Sequence, residues 1–255
     1  MEYPNEKLPA LKSLFILETL AKRGSYLGIN EISALTGLSQ STVHRVLGEM
    51  VHIGFVEKNE KYKKYRVGMR AAILASHFMQ SNNVVSFSRE EMLRLNTLTG
   101  ETIHLLAISD NSVIYLNKIN TSHTLGLMSY IGKINPLHCT AGGKCIAAFM
   151  DEGWVERYLA SSNRMRYTEN TLTTPDELRR EFELIRQQGY ALDRSEHHRD
   201  VNCVSAPIFD QTGRPVAAIS ISAPSYRFPL EKAIELAQEV MASCQVVSQM
   251  MGSDI

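Results

Sequence analysis

The chain has 255 residues, 44% of them hydrophobic, and carries no formal net charge at pH 7, a length that suits one or two domains with material for a full core. It has no apolar run long enough to span a bilayer, and "MEYPNEKLPA" has no signal-peptide pattern, so the expectation is a cytoplasmic protein with no membrane partner. The four cysteines, Cys139, Cys145, Cys203 and Cys244, include no C-x-x-C pair, which argues against both a zinc module and a disulfide scaffold.

In chain order, "LPALKSLFILETLAKR" places Leu11, Leu14, Phe15, Ile16 and Leu20 at near-helical spacing before a Gly24-Ser25 break. "INEISALTG" sets Ile29, Ile32 and Leu35 on the stripe of a short helix, with Gly37 suited to its C′ position. "LSQSTVHRVLGEM" is a third helix. Val43, Val46, Leu47 and Met50 recur at i, i+3, i+4 and i+7, and Ser39 is the N-cap candidate. The opposite face gathers short or planar hydrogen-bonding side chains. Three helices with a tight "TGLS" turn before the third have the layout of a helix-turn-helix.

After Gly54, "FVEKNEKYKKYRVG" reads as strand, charged turn, strand, with Phe55 and Val56 at its start and Tyr65 and Val67 at its end. Residues 1–70 hold 11 Lys/Arg against 7 Asp/Glu, and the remainder 16 against 20. A basic hairpin after a helix-turn-helix is a wing. The expected partner is double-stranded DNA. Ser39, Gln40, Ser41, Thr42, His44 and Arg45 would enter the major groove, Arg45 bonding a guanine and Gln40 or His44 a base or a phosphate, and Lys58, Lys61, Lys63 and Lys64 would neutralise phosphates. The competing reading is a helical protein-interaction adaptor, which needs the helices but no basic wing.

"GMRAAILASHFMQSNN" follows, a short mixed-apolar helix through Ala72, Ile73, Leu74, Ala75 and Phe78. It is either a plain linker or a helix that packs on its copy in a dimer. Beyond residue 83, "VVSFSREEMLRLNTLTG" is helical to Gly100. "ETIHLLAIS" and "VIYLNKI" flank an Asp-Asn-Ser turn, and "CVSAPIF" and "PVAAISIS" form a second hairpin. Thr174, Pro175 and Glu177 spell a capping box for a helix with Leu178, Phe182 and Ile185 on its stripe and Gly189 at its end. A last helix is expected over about 230–251. Antiparallel strands with interspersed helices give an α+β domain. In "CTAGGKCIAAFM" a helix is expected to open near Ala141. The N–H groups of Gly142, Gly143 and Lys144 would then face outward and suit a carboxylate. A ligand-free Gly-rich turn is the structural alternative. A P-loop fails, because His138 stands where Gly is needed and Cys145 where Ser or Thr is needed.

"GLSQSTVHRVL", "TGETIHL", "IGKINPLHCTAGGK", "QGYALD", "CVSAPIFD" and "AAISIS" together resemble the IclR family of bacterial transcriptional regulators, over most of the chain. The resemblance implies a winged helix-turn-helix over 7–70, a linker helix over 71–82 used in dimerisation, and a GAF-like effector-binding domain over 83–252. It implies a homodimer or dimer of dimers, a small organic acid as effector, and no cofactor. "GETIHL", "YIGK" and "PLHCTAGGK" are similar to the branch that regulates sugar-acid catabolism, including sensors of 2-keto-3-deoxygluconate; repression is the expected sense. Positions matching the family's effector pocket are Leu127, Met128, Asn135, Ala141, Gly142 and Gly143, with Asp193, Cys203, Ser220 and Ser222 on the opposite side. A carboxylate at the helix end would leave Asp193 to accept from a ligand hydroxyl farther along. Ser220 and Ser222, two apart on a strand, face the same side.

The sequence departs from the family at Asp200, where a Gly is usual three residues before the Cys; Asp adopts a left-handed backbone less freely than Gly. Asp193, Glu196, His197 and His198 are metal-ligand types without regular metal spacing, so no metal site is expected. Cys203 with His197 or His198 is the only nucleophile pair an enzyme reading offers, and nothing in the sequence orients it. The expectation is a regulator, not an enzyme.

Overall fold

The computed structural model describes residues 9–161 and 164–254; positions 7 and 8, the expected start of the DNA-binding domain, lie outside them. Two compact units separate between Ser81 and Asn82.

The first unit holds α1 (Pro9–Arg23), α2 (Ile29–Thr36), α3 (Gln40–His52), the hairpin β1 (Val56–Asn59) and β2 (Lys64–Val67), and α4 (Met69–Ser81). Each helix boundary has a local cause. The Gly28 N–H donates to Glu31 Oε2 at 2.7 Å ahead of α2, and Gly37 closes that helix at φ 71°. Thr42 N–H donates to Ser39 Oγ at 3.3 Å to start α3. Ile16, Leu20, Ile32, Val43, Val46, Leu47, Met50, Val56 and Tyr65 form one core. Leu27 joins the wing by exchanging two 2.8 Å hydrogen bonds with Tyr65.

Two expected core positions are corrected: Leu14 and Leu35 are exposed. Steps of three residues fall about 60° short of a full turn, so Leu35 drifts off the stripe begun by Ile29 and Ile32. Thr36 returns to it and is buried, its hydroxyl donating to Ile32 O at 2.7 Å. On α4 no residue is buried, and Met69, Ile73, Leu74 and Phe78 are more than half exposed.

The second unit runs α5 (Asn83–Thr99), β3 (Thr102–Ser109), β4 (Ser112–Ile119), β5 (Ile134–Pro136), α6 (Ala141–Ala148), α7 (Glu152–Ser161), α8 (Pro175–Gln188), β6 (Ala191–Arg194), β7 (Val201–Phe209), β8 (Pro215–Pro224), α9 (Leu230–Glu235) and α10 (Ala237–Met250). Its six strands are antiparallel in the order β5-β4-β3-β8-β7-β6, so this is the expected α+β domain. α5 and α10 pack together against the sheet, and α6 lies over β3, β7 and β8, where Ile146 meets Leu106 and Ala218.

The capping box of α8 forms as read: Glu177 N–H donates to Thr174 Oγ1 at 3.3 Å, and Thr174 N–H to Glu177 Oε2 at 2.9 Å. Three details differ from the sequence reading. The β3–β4 turn has two residues, Asp110 and Asn111, because Ser109 pairs with Ser112. The single last helix is two, joined at Leu236, whose ψ of −5° leaves helical geometry while its N–H still reaches Lys232 O. α7, β5 and β6 carried no clear sequence signal, the strands being only three and four residues long. All four cysteines are free and buried. No helix among the described residues is long and apolar enough to cross a membrane.

Candidate ligand pocket and nucleic-acid interface

The two faces of α3 divide as its periodicity dictates. Val43, Val46, Leu47 and Met50 are buried, while Gln40, Ser41, His44 and Arg45 are exposed. Ser39 Oγ lies 3.1 Å from Ser41 Oγ and 2.9 Å from Thr42 Oγ1, which gathers three hydroxyls at the helix start. Arg45 pairs with Glu49 on its own helix at 2.7 Å, an exposed pair that a stronger acceptor can replace at little cost. On the wing, Lys58 pairs with Glu60 at 2.7 Å and Lys64 with Glu31 at 3.4 Å. Lys61 and Lys63 stand at the exposed tip in no ion pair among the described residues, Lys61 lying over the Tyr62 ring. Lys63 adopts φ 49° to make the turn.

In the second unit a cavity of about 710 Å³ opens between α6, the 120–133 loop and the ends of β6–β8. Nine of the ten sequence-derived pocket residues line it: Leu127, Met128, Asn135, Ala141, Gly142, Asp193, Cys203, Ser220 and Ser222. Register explains the convergence of the last four. Asp193 pairs with Cys203 and Cys203 with Ser222, a single cross-strand row, and directly opposed residues share a face. Ser220 sits two residues along, opposite His104.

Gly143 is the exception. A Cβ there would meet Leu137 O at 2.5 Å and Thr140 Oγ1 at 2.6 Å, so its missing side chain lets the helix close on the preceding turn. Gly142 faces Leu106, whose methyls would lie 2.4 and 2.6 Å from an added Cβ. The expected outward N–H of Lys144 is also corrected, because it makes the first bond of α6, donating to Thr140 O at 3.0 Å. An α-helix consumes that donor and leaves only those before it. The Lys144 side chain is wholly buried, with Nζ 3.0 Å from Glu181 and 2.5 Å from Glu196. Arg194 completes the cluster at 2.8 Å from Glu181.

What remains at the start of α6 is an uncapped helix end inside the protein. Thr140 makes no side-chain cap, its hydroxyl turning back to Pro136 O at 3.0 Å, and every residue of α6 is buried. Beside it, Asn135 is 3% exposed and its Nδ2 has no hydrogen-bond partner among the described residues. A buried helix start and a buried amide donor, both unsatisfied at one cavity wall, call for an acceptor.

The far end is differently equipped. Ser220 and Ser222 hydroxyls lie 3.3 Å apart. Asp193 Oδ1 accepts the Glu196 N–H at 2.7 Å. Burial, with the Glu196 carboxylate second, pushes Asp193 above the ordinary carboxylate range. It is therefore a possible donor as well as the acceptor that the sequence suggested. Cys203 Sγ lies 3.9 Å from Asp193 Oδ2, and burial raises its thiol well above the usual range. Its hydrogen-bond partners are Asp193 and Ser222, while His197 stacks edge-on to Tyr167 and packs against His198. A thiol held neutral in this way is not an activated nucleophile.

Asp200 lines the mouth without a left-handed backbone; that conformation falls on Ser195, φ 56°. Sequence reasoning missed His104, Tyr115, Ser129, Lys133 and Tyr167, which also line the cavity. His104, in "TIHLL", alternates with Leu106 on β3 and so shares its face, a signal that becomes readable only once β3 is known to pair with β8.

A model described as the IclR helix-turn-helix domain matches residues 9–60, and one described as the bacterial transcriptional regulator IclR C-terminal matches residues 76–249. The HTH-type transcriptional regulator KdgR of Dickeya chrysanthemi is 33% identical over 98% of this chain and 81% of its own length. KdgR of Escherichia coli is 32% identical over 98% of this chain and 94% of its own. The crystal structure of Thermotoga maritima IclR aligns over 95% of this chain and 98% of its own, with 30% identity and a TM-score of 0.78.

Proposed function

Because the chain belongs to the IclR family of bacterial transcriptional regulators, we propose that it represses an operon of carbohydrate or sugar-acid catabolism and is released from DNA by a small hydroxylated carboxylic acid. On this reading α3 enters the major groove, with Arg45, Gln40 and His44 toward base edges and the hydroxyls of Ser39, Ser41 and Thr42 toward the backbone. Lys61 and Lys63 at the wing tip, with Lys58 and Lys64 once released from their glutamates, meet phosphates. The exposed apolar face of α4 serves a homodimer, which two half-sites require; a dimer of dimers is the larger assembly.

The observation that carries the effector assignment is the unsatisfied pair at one cavity wall, the uncapped start of α6 and Asn135 Nδ2. A carboxylate supplies the acceptor both need, and a helix start favours negative charge. Asp193, Ser220 and Ser222 then face the remainder of the ligand with donors and acceptors that suit hydroxyl groups. The sugar-acid class itself rests on the resemblance of "GETIHL", "YIGK" and "PLHCTAGGK" to that branch.

A thermal-shift panel of sugar acids, short 2-keto acids and aromatic acids tests this. A ligand at 100 times its dissociation constant adds about 2.7 kcal/mol to the state that binds it. The largest shifts are expected from hydroxylated acids, 2-keto-3-deoxygluconate among them. Shifts from aromatic acids alone would refute the two-ended pocket.

A further inference from the structure

We infer that His104 is a positioning residue that ties occupancy of the serine end of the cavity to the order of the 120–133 loop over its mouth. The inference rests on the effector reading of that cavity and assigns its regulation.

The ring is buried on β3 and stacked on Tyr115, with centroids 4.2 Å apart and planes 15° apart. Its Nδ1 lies 3.3 Å from Ser222 Oγ, inside the pocket. Its Nε2 lies 2.8 Å from Ser129 Oγ, on the loop. The loop is thinly held. Arg227 grips Leu125 O at 2.8 Å on one side, and Gly132 N–H reaches Tyr115 O at 2.7 Å on the other. Between them, among the described residues, side chains of two residues tie the loop to the sheet. Lys118 Nζ donates to Leu127 O and Ser129 O, and His104 meets Ser129. Met128, Tyr130 and Ile131 are exposed there, so little burial holds this stretch. Of the two ties, only His104 also touches the Ser220–Ser222 pair.

The chemistry of the ring makes that link directional. Burial first, and the Lys118 and Lys133 charges second, lower His104 to about 3, so the imidazole is neutral. A neutral imidazole has one donor and one acceptor nitrogen, so its role toward Ser222 fixes its role toward Ser129. Ser222 also contacts Ser220 at 3.3 Å. A ligand hydroxyl that engages either serine therefore selects among the arrangements of the Ser220–Ser222–His104–Ser129 chain, and with them the grip on the loop. An imidazolium would donate at both ends and carry no such information.

Hydrogen exchange of the amides of residues 126–131 reads this directly in the full chain. Gluconate and 2-keto-3-deoxygluconate are the probes, each saturating by calorimetry. In the wild type, bound probe should slow exchange by about tenfold. Ser129→Ala should reduce that slowing to under about twofold at equal occupancy, whereas Ser129→Thr, which keeps the hydroxyl, should retain it. His104→Phe, which keeps the stack on Tyr115, should behave as Ser129→Ala does; if it does not fold, the two Ser129 variants decide alone. Wild-type protection in Ser129→Ala, or a bound probe that protects nothing in the wild type, overturns the inference and leaves the effector reading standing. If neither probe binds, the effector reading falls and this inference with it.

Discussion

Gly143 and Asp193 show how side chains with a plain sequence signal can do different work in the fold. Gly143 belongs to a Gly pair that reads as part of an anion-binding turn, yet its hydrogen faces backbone, Leu137 O and Cα. Backbone cannot step aside as a side-chain end can. Gly143→Ala is therefore expected to destabilise the second unit by about 1–3 kcal/mol, seen as a lower melting transition. A variant as stable as the wild type that has lost ligand binding would return Gly143 to the pocket. Asp193 carries a pH dependence. Its folded-state pKa is raised by burial and by Glu196, so the folded protein holds a proton that the unfolded chain releases. Its contribution to stability thus falls as pH climbs from the ordinary carboxylate value through the raised one. A carboxylate ligand also prefers the protonated form. Between about pH 6 and 9, affinity for a sugar acid should weaken with rising pH in the wild type and stay nearly flat in Asp193→Asn. His104 and His197, held neutral at about 3 and 4, do not titrate in that window. Parallel pH profiles for the two proteins would show that Asp193 is not the group responsible.

At the scale of elements, α3 and the wing separate reading from holding. Arg45 lies on the exposed face of a capped helix, paired with Glu49, and on the proposed reading leaves that partner for a base. Lys63 sits at the wing tip, in no ion pair among the described residues. Arg45→Ala is expected to cost about 1–3 kcal/mol on a specific duplex and much less on a random one. Lys63→Ala should weaken both alike and flatten the salt dependence. Fluorescence anisotropy on the two duplexes across salt separates these outcomes, and an unchanged specificity ratio in Arg45→Ala would remove it as a base reader. These elements were legible in the sequence because their causes are local: Ser39 and Thr174 cap within three residues, and Gly37, Gly100 and Gly189 end helices by their own φ. β5 and β6 were not, since three- and four-residue strands exist only through their partners. The ties that hold His104 and Lys118 to the 120–133 loop were hidden for the same reason. They join residues between 9 and 25 positions apart, along no periodicity.

At the scale of the whole molecule, family resemblance and chemistry supplied different parts of the account. The resemblance named most of the pocket residues. The structure adds why they converge, through the Asp193–Cys203–Ser222 row and the buried, uncapped start of α6. It also adds a buried Lys144–Glu181–Glu196 cluster directly behind that wall. A buried charge left without its partners costs about 3–5 kcal/mol, so this cluster fixes the wall on which a carboxylate would rest. On the proposed reading, a small hydroxylated acid in the second unit governs DNA binding by the first. The most direct test is the affinity of the full-length protein for the DNA upstream of its own operon, titrated with 2-keto-3-deoxygluconate and gluconate. At least one of them should weaken binding by tenfold or more, about 1.4 kcal/mol of coupling or greater, and Asn135→Ala should abolish this response. An affinity for DNA that stays the same while either acid demonstrably occupies the pocket would contradict it.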